Sequence, residues 1–406
     1  MTATKPQWTF RNRLRRAAFG WRGSKLAIAR IDQALSEIHA VARHDPALAA
    51  EGAVLFLEKI SPALCEVDSS SGALGSAACS AVSALVPLIA AAQVSEAIRR
   101  RWLERLFEGI QQDDPPYIES LGEHWGELCV TPEIASTWAD ELMPALQRVT
   151  EDRKRGVFAW FKGTDLCYSA LFKAGRHDEL LGLLALDPHP IWPYLLWGGR
   201  VFAARGQVDE AIAYMDSRAG INTPQAALAC FAEEVLLQAG RRTEAYDRYA
   251  IEAAQATSRV ATYRAIAKKY PEMEPERLLG DLIASTPGDE GKWFATAKSL
   301  KRFDLAIALA WRSACDPKTL TRAARDHLRN RPMFAAEAAL AALHWMSEGH
   351  GYELTGLDVR EAYRYAIEAA QSVGQADQVE LREQHILSGA GPATQWMRQA
   401  LGFSDP

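Results

Sequence analysis

From residue 158 onward a turn signal returns at near-constant intervals. It reads Ala174-Gly175-Arg176, Arg205-Gly206-Gln207 and Ala239-Gly240-Arg241, spaced 31 and 34 residues apart. Five residues after the glycine comes an alanine, Ala211 or Ala245, in the strings GQVDEA and GRRTEA. Lys301-Arg302-Phe303-Asp304-Leu305-Ala306 repeats the frame without glycine, 61 residues after Gly240, a gap that fits two repeats. Arg331 followed by Ala336 repeats it 30 residues later, and Gly374 carries a last, weaker copy. A period of this size means stacked supersecondary units, each burying its apolar face only against its neighbours. The unit is a helical hairpin. Glycine lets the chain leave the first helix at its C-cap, an acidic or polar residue opens the second, and the small alanine lets the two helices approach closely.

Composition agrees with helices. Alanine supplies 70 of 406 residues, and it is the best helix former and a poor strand residue. Hydrophobic residues at 48% and a net charge of -5 exclude a disordered chain. The 27 Gly and 19 Pro are too few for a collagen-like or low-complexity protein. Six Cys in this length are not a small disulfide scaffold. They form no CxxC and have no His within four residues, so zinc-finger, thioredoxin-like and iron–sulfur motifs are absent. Reduced thiols in apolar helices, with no secretory h-region near the start, give a cytoplasmic expectation.

Residues 25–150 read as consecutive amphipathic helices, a HEAT-like region. Leu26, Ile28, Ile31, Leu35 and Ile38 fall mostly on one face. Asp45-Pro46 opens the next helix, with Pro62 expected to interrupt it. Further helices are expected over 95–112, 116–128 and 132–150, with breaks at Pro115-Pro116 and Thr131-Pro132. Ser69 to Ser95 is uncharged over 27 residues, long enough to span a bilayer. Its apolar content is mostly alanine, however, which contributes little in lipid, so a buried solenoid helix is the preferred reading.

The segment Pro193–Ala213, PYLLWGGRVFAARGQVDEAIA, resembles a tetratricopeptide repeat. Gly199 stands at its small position, Phe202 at its aromatic one, Gly206 and Ala211 at its turn and close-packing positions, and Pro224 near its terminal proline. The next copy has Glu233 where a small residue belongs. The resemblance covers about 158–390 and implies a right-handed superhelix whose concave face binds peptides or partner proteins. The strings AAFGWRGSKLAIARI and AAEGAVLFLEKISPALCEVDSSSGALG are similar to an uncharacterised bacterial family, which brings no activity with it. Arg outnumbers Lys 34 to 12, in keeping with a GC-rich bacterial source.

The expected architecture is therefore all-α: a right-handed α–α superhelix with a basic arm at 1–24, a HEAT-like region at 25–150, a degenerate tetratricopeptide-like array at 151–390 and a tail at 391–406. The arm holds the sharpest charge asymmetry. Lys5, Arg11, Arg13, Arg15, Arg16, Arg22, Lys25 and Arg30 give residues 1–30 a charge of +8 with no acid, leaving -13 on residues 31–406 of the net -5. Trp8, Phe10, Phe19 and Trp21 interleave with these cations. Such a segment can neutralise phosphates and stack on bases, or lie on an anionic membrane. The plainer expectation is that its aromatics pack on the first helices while its cations are solvated or pair with the acidic body.

Other constellations favour structural roles. Asp68-Ser69-Ser70-Ser71-Gly72 reads as helix capping rather than an anion site. His177-Asp178-Glu179 reads as a helix start, and Asp113-Asp114 before Pro115-Pro116 as a loop. No P-loop, HExxH or GxSxG occurs, and no cofactor or metal is expected. The twelve Trp mostly suit gaps between stacked helices. The alternative is an aromatic groove for a peptide, since Trp, Tyr and Arg dominate binding hot spots. Trp160, Lys162, Trp192, Tyr194, Trp197 and Arg200 are the candidates, near the junction of the two helical regions. The leading expectation is a non-enzymatic scaffold for a protein or peptide. A nucleic-acid-associated protein acting through the arm competes with it. An enzyme with an inter-helix site stays open, because catalytic groups are brought together in space rather than in sequence.

Overall fold

The computed structural model describes residues 8–221, 223–254 and 256–403. Among them every regular element is helical and no strand occurs, so the protein is all-α. Lys5 and residues 404–406 of the tail lie outside the described residues. Contacts divide the chain into two compact units, one ending at Thr223 and one beginning at Pro224. The first holds α1 (Thr9–Arg13), α2 (Ser24–Ala42), α3 (Pro46–Leu64), α4 (Ala73–Ala91), α5 (Glu96–Gln111), α6 (Trp125–Cys129), α7 (Pro132–Lys154), α8 (Thr164–Lys173), α9 (His177–Leu186), α10 (Trp192–Ala204) and α11 (Val208–Arg218). The second holds α12 (Gln225–Gln238), α13 (Arg242–Ala245), α14 (Ile251–Ala253), α15 (Arg259–Lys269), α16 (Pro275–Ala284), α17 (Phe294–Ser299) and α18 (Phe303–Arg312). It continues with α19 (Pro317–His327), α20 (Pro332–Ser347), α21 (Gly356–Ser372), α22 (Ala376–Leu387) and α23 (Pro392–Leu401).

The periodic turns share one backbone solution. Gly175, Gly206, Gly240 and Gly374 all have φ between 70° and 76°. After each comes a residue whose N–H reaches back to the first helix: Arg176 to the Leu171 carbonyl at 3.0 Å, Gln207 to Phe202 at 3.0 Å, Arg241 to Leu236 at 2.8 Å, Gln375 to Ala370 at 3.0 Å. This is the Schellman cap, which satisfies helix-end carbonyls that would otherwise be orphaned. The copy without glycine does the same: Lys301 has φ 61°, and the Arg302 N–H donates to the Ala297 carbonyl at 2.9 Å. The repeat expected between Gly240 and Lys301 is the α15–α16 hairpin, which turns after Tyr270 without a left-handed residue at that cap. Arg331 departs from the frame. It precedes Pro332, and proline drives the residue before it to extended backbone, so Arg331 sits at φ −148° and opens α20 instead.

The alanines of the frame are core. Ala211, Ala245 and Ala306 have no exposed surface, and Ala336 is 2% exposed. Where the frame is degenerate, the core accepts the odd residue by pairing it. Glu233 is buried, receives Lys269 Nζ at 2.6 Å and the Tyr270 hydroxyl at 2.7 Å, and so stands where a small residue was expected. Glu383 on α22 is equally buried with neither oxygen hydrogen-bonded, and burial pushes its carboxyl up to about 8.

The segment before α2 is a strap rather than a loose arm. Trp8, Phe10, Leu14 and Phe19 are all buried. Phe10 meets Phe56 edge-on at 5.9 Å, and a Cβ on Gly52 would lie 2.3 Å from the Trp8 ring. Glu37 on α2 accepts from the Thr9 and Phe10 N–H groups at 2.8 and 3.3 Å, capping α1 from another element. The Ala17 N–H donates to the Pro62 carbonyl at 2.9 Å. Pro62 itself lies inside α3, in its last turn, so α3 is not interrupted there as the sequence suggested. Only Ala63 and Leu64 follow Pro62 in α3, so the bend its ring imposes displaces little of the helix.

The uncharged stretch forms α4, long and apolar enough by composition to cross a membrane. In this structure it packs against α2, α3 and α6, burying Leu74, Ala78, Ala81, Val82, Leu85, Val86 and Ile89. Its start corrects the capping expectation. Gly72 is the N-cap at φ 72° with no side-chain cap bond, while Asp68 accepts from the Ser70 N–H at 2.9 Å and shapes the turn before it. Residues on either side of 150 share the first unit, since α7 packs on α8. The tail residues of α23 pack on α21 and α20.

Two substitutions test the hairpin frame by urea unfolding. Ala211→Leu overpacks a closed contact and is expected to destabilise by about 1–3 kcal/mol. Lys301→Gly relieves a left-handed side-chain residue and is expected to stabilise by up to about 1 kcal/mol.

Candidate functional site

A cleft opens in the first unit where the Glu119–His124 turn and α6 approach α8 and α10. Two glycines permit the approach. A Cβ on Gly126 would lie 2.5 Å from the Ser169 carbonyl oxygen, and one on Gly122 would lie 2.9 Å from the Asp165 Cβ. The Ser169 hydroxyl ties the walls together, accepting from the Gly126 N–H and donating to the Glu123 carbonyl, both at 2.9 Å. Its proton and a lone pair are thus committed to backbone, which leaves it poorly placed as a nucleophile.

The cleft has a volume of about 380 Å³. Phe172 and Trp197 form an aromatic floor, with ring centroids 5.7 Å apart. The Arg200 guanidinium lies 4.6 Å from the Trp197 ring centroid, a cation–π contact one helical turn along α10. Lys173 adds a second cation. Glu123 and Glu127 supply acids, with His124 Nδ1 3.5 Å from Glu127 Oε2. Both signs of charge around an aromatic floor suit a peptide, whose side chains combine apolar and ionic groups.

Asp165 lies beneath this floor. Trp197 Nε1 donates to its Oδ1 at 3.2 Å. Burial pushes the Asp165 carboxyl up to about 6; the Trp197 bond opposes the rise, and the nearby Glu123 charge adds to it. The buried thiols of Cys129 and Cys167, in the helices α6 and α8 that wall the cleft, are pushed up to about 12 for the same reason, so neither is an activated nucleophile. Among the described residues no group of three or more His, Cys, Asp or Glu is placed to hold a metal ion.

Of the six residues singled out from the sequence, the structure brings Trp197 and Arg200 into the cleft. Trp197 is buried as the cleft's floor, and Tyr194 is buried outside the cleft against Tyr168 and Trp160, so the two do not form an open groove. Trp160 is 47% exposed and stacks on Tyr194 at 6.1 Å, outside the cleft, with Arg153 at 5.9 Å on its ring. Lys162 is turned away, donating to the Asp113 carbonyl at 2.6 Å. Trp192 is half-buried at the first residue of α10. Asp113 is structural: its carboxylate accepts from the Tyr117 and Ile118 N–H groups at 3.0 and 2.7 Å. His177, Asp178 and Glu179 form the first turn of α9, and His177 stacks on Phe172.

Sequence reasoning missed Glu123, His124, Glu127, Phe172, Lys173 and Asp165. They come from separate segments and form no motif. The paired small residues Gly122 and Gly126, spaced for one helical face, were the only local sign of a close approach there.

The basic segment divides by side-chain direction. Arg11, Arg15 and Arg16 line a second cavity, Arg13 donates to Gln33 at 3.0 Å, and Arg22 and Lys25 are exposed. Of its four aromatics only Trp21 is exposed. No protein-family model matches the chain, and no curated protein matches it.

Asp165 gives the cleft a pH signature. Its carboxyl titrates higher in the folded chain than unfolded, so the folded state holds the proton between about pH 4 and 6. Wild-type stability therefore falls as pH rises through that window, by up to about 1.4 kcal/mol per pH unit. Asp165→Asn removes the titration while keeping an acceptor for Trp197. Urea unfolding across this range is expected to show the variant gaining on the wild type as pH rises, with a constant difference above about pH 7.

Proposed function

We propose that this protein is a non-enzymatic helical-repeat scaffold, similar to tetratricopeptide arrays, that binds a peptide segment of a partner protein in the cleft between α6, α8 and α10. The observation that carries this reading is the aromatic floor of Phe172 and Trp197 beneath Arg200 and Lys173, with Glu123 and Glu127 on the facing wall. The repeated left-handed caps support the repeat-family side of it. The six cysteines, all free of disulfides, agree with a cytoplasmic setting. An enzymatic reading has less support, because the cleft's one hydroxyl nucleophile is tied to backbone on both sides.

Binding of the full-length protein to an arrayed peptide library tests the proposal. Retained peptides are expected to share an acidic residue beside an aromatic or aliphatic one. Combining Lys173→Glu with Arg200→Glu is expected to weaken their binding at least about tenfold, equal to about 1.4 kcal/mol, with the variant shown folded by its unfolding midpoint at the temperature of the assay. No peptide bound at about 100 µM, or equal binding by the double variant, overturns the reading.

A further inference from the structure

The strap formed by residues 8–23 presents its cations in a fixed place. Phe10 and Leu14 are buried anchors, so Arg11 and Arg15, each one residue further on, are held at the surface beside them. The Ala17 bond to the Pro62 carbonyl pins the strap along the end of α3. This places Arg11, Arg15 and Arg16 around a cavity of about 380 Å³ whose other walls carry Lys59 from α3 and Arg105 from α5.

The charges there are unbalanced. The lining includes five cations and two carboxylates, Glu58 and Glu108. Glu58 is already engaged by Arg105, whose Nη2 lies 2.7 Å from its Oε2, and Arg105 also pairs with Glu51 at 2.7 Å. The side chains of Arg11, Arg15, Arg16 and Lys59 have no ion-pair or hydrogen-bond partner among the described residues. The rest of the chain carries a large acidic excess, yet it does not neutralise them. Arginines gathered around one concave space supply planar donors that match phosphate oxygens in geometry and charge, and partly enclosed walls strengthen that attraction over open water.

We infer that this cavity binds a small ligand bearing two or more phosphate groups. Arg11, Arg15, Arg16 and Lys59 hold the phosphates, and Arg105, fixed by its two glutamates, sets the back wall. The cavity's size and concavity suit a compact polyphosphate or a phosphorylated headgroup. A single-stranded nucleic acid fits less well, because Trp8, Phe10 and Phe19, which would have stacked on its bases, are core residues.

Calorimetric titration of the full-length protein with inorganic pyrophosphate tests the inference. One site per chain is expected, weakened at least about tenfold by combining Arg15→Ala with Lys59→Ala and unchanged by Arg13→Ala, whose side chain turns to Gln33. Unfolding midpoints of all variants are measured alongside, so that loss of binding is separated from loss of fold. Phosphatidylcholine vesicles with and without phosphatidylinositol bisphosphate distinguish the source of the phosphates. Vesicle binding that pyrophosphate displaces supports a lipid headgroup, and pyrophosphate binding without vesicle binding supports a soluble ligand. No pyrophosphate binding at about 1 mM, or binding unaffected by the double variant, overturns the inference. Binding of vesicles or of single-stranded RNA that pyrophosphate does not displace overturns it too.

Discussion

The left-handed cap at the end of a hairpin's first helix is the constraint on which the repeated part of this protein depends. A helix end leaves carbonyls without partners, and the cap satisfies two of them while reversing the chain in very few residues. Because the reversal is tight, the second helix begins close beside the first, and only a small side chain fits the contact that follows. That is why Ala211, Ala245 and Ala306 are fully enclosed. Lys301 shows how strong the demand is: the chain adopts φ 61° there although the residue carries a side chain. The alanines and the turns are two consequences of one geometry.

Charge plays two different roles in this structure. On the surface, ion pairs link neighbouring hairpins, such as Arg176 with Asp140 and Arg205 with Asp178, each at 2.6 Å. Exposed pairs of this kind contribute about 0–1 kcal/mol each, so they tune register more than they hold the fold. Buried acids matter more. Asp113, Asp187 and Glu233 are each satisfied, by backbone N–H groups, by Arg153, and by Lys269 with Tyr270. Removing a partner from such a group leaves a desolvated charge, which is far more damaging than losing a surface pair. Glu383 escapes that penalty by holding its proton, its carboxyl raised by burial.

The same residue types lead to different outcomes in these cavities of the first unit. In the cleft between α6, α8 and α10, Arg200 lies over an aromatic ring and faces acids, so the charges are nearly balanced and the floor is apolar. Beside the strap the cations gather with only one acid not already paired, Glu108. Mixed charge over aromatics favours a chain with varied side chains, whereas unbalanced guanidinium groups favour a dense anion.

Much of the architecture was legible in the sequence because it is set by local rules. Glycine at Gly175, Gly206, Gly240 and Gly374, an alanine five residues after Gly206 and Gly240, and prolines opening helices each act within a turn or two of chain. The exceptions are also local: Pro332 forces Arg331 out of the frame, and Pro62 falls too near a helix end to break it. What depended on tertiary structure was anything decided by distant partners. Whether Glu233 could stand in a core position was decided by Lys269 and Tyr270, and whether the basic segment was loose or pinned by Gly52, Phe56, Glu37 and Pro62. The cleft joined Glu123, Phe172 and Arg200 from three separate segments. By itself the sequence determined the repeating hairpin, since backbone capping and close packing are short-range. Only the tertiary structure decided which charges are paired and which face an open cavity, because a side chain's partner can lie tens of residues away.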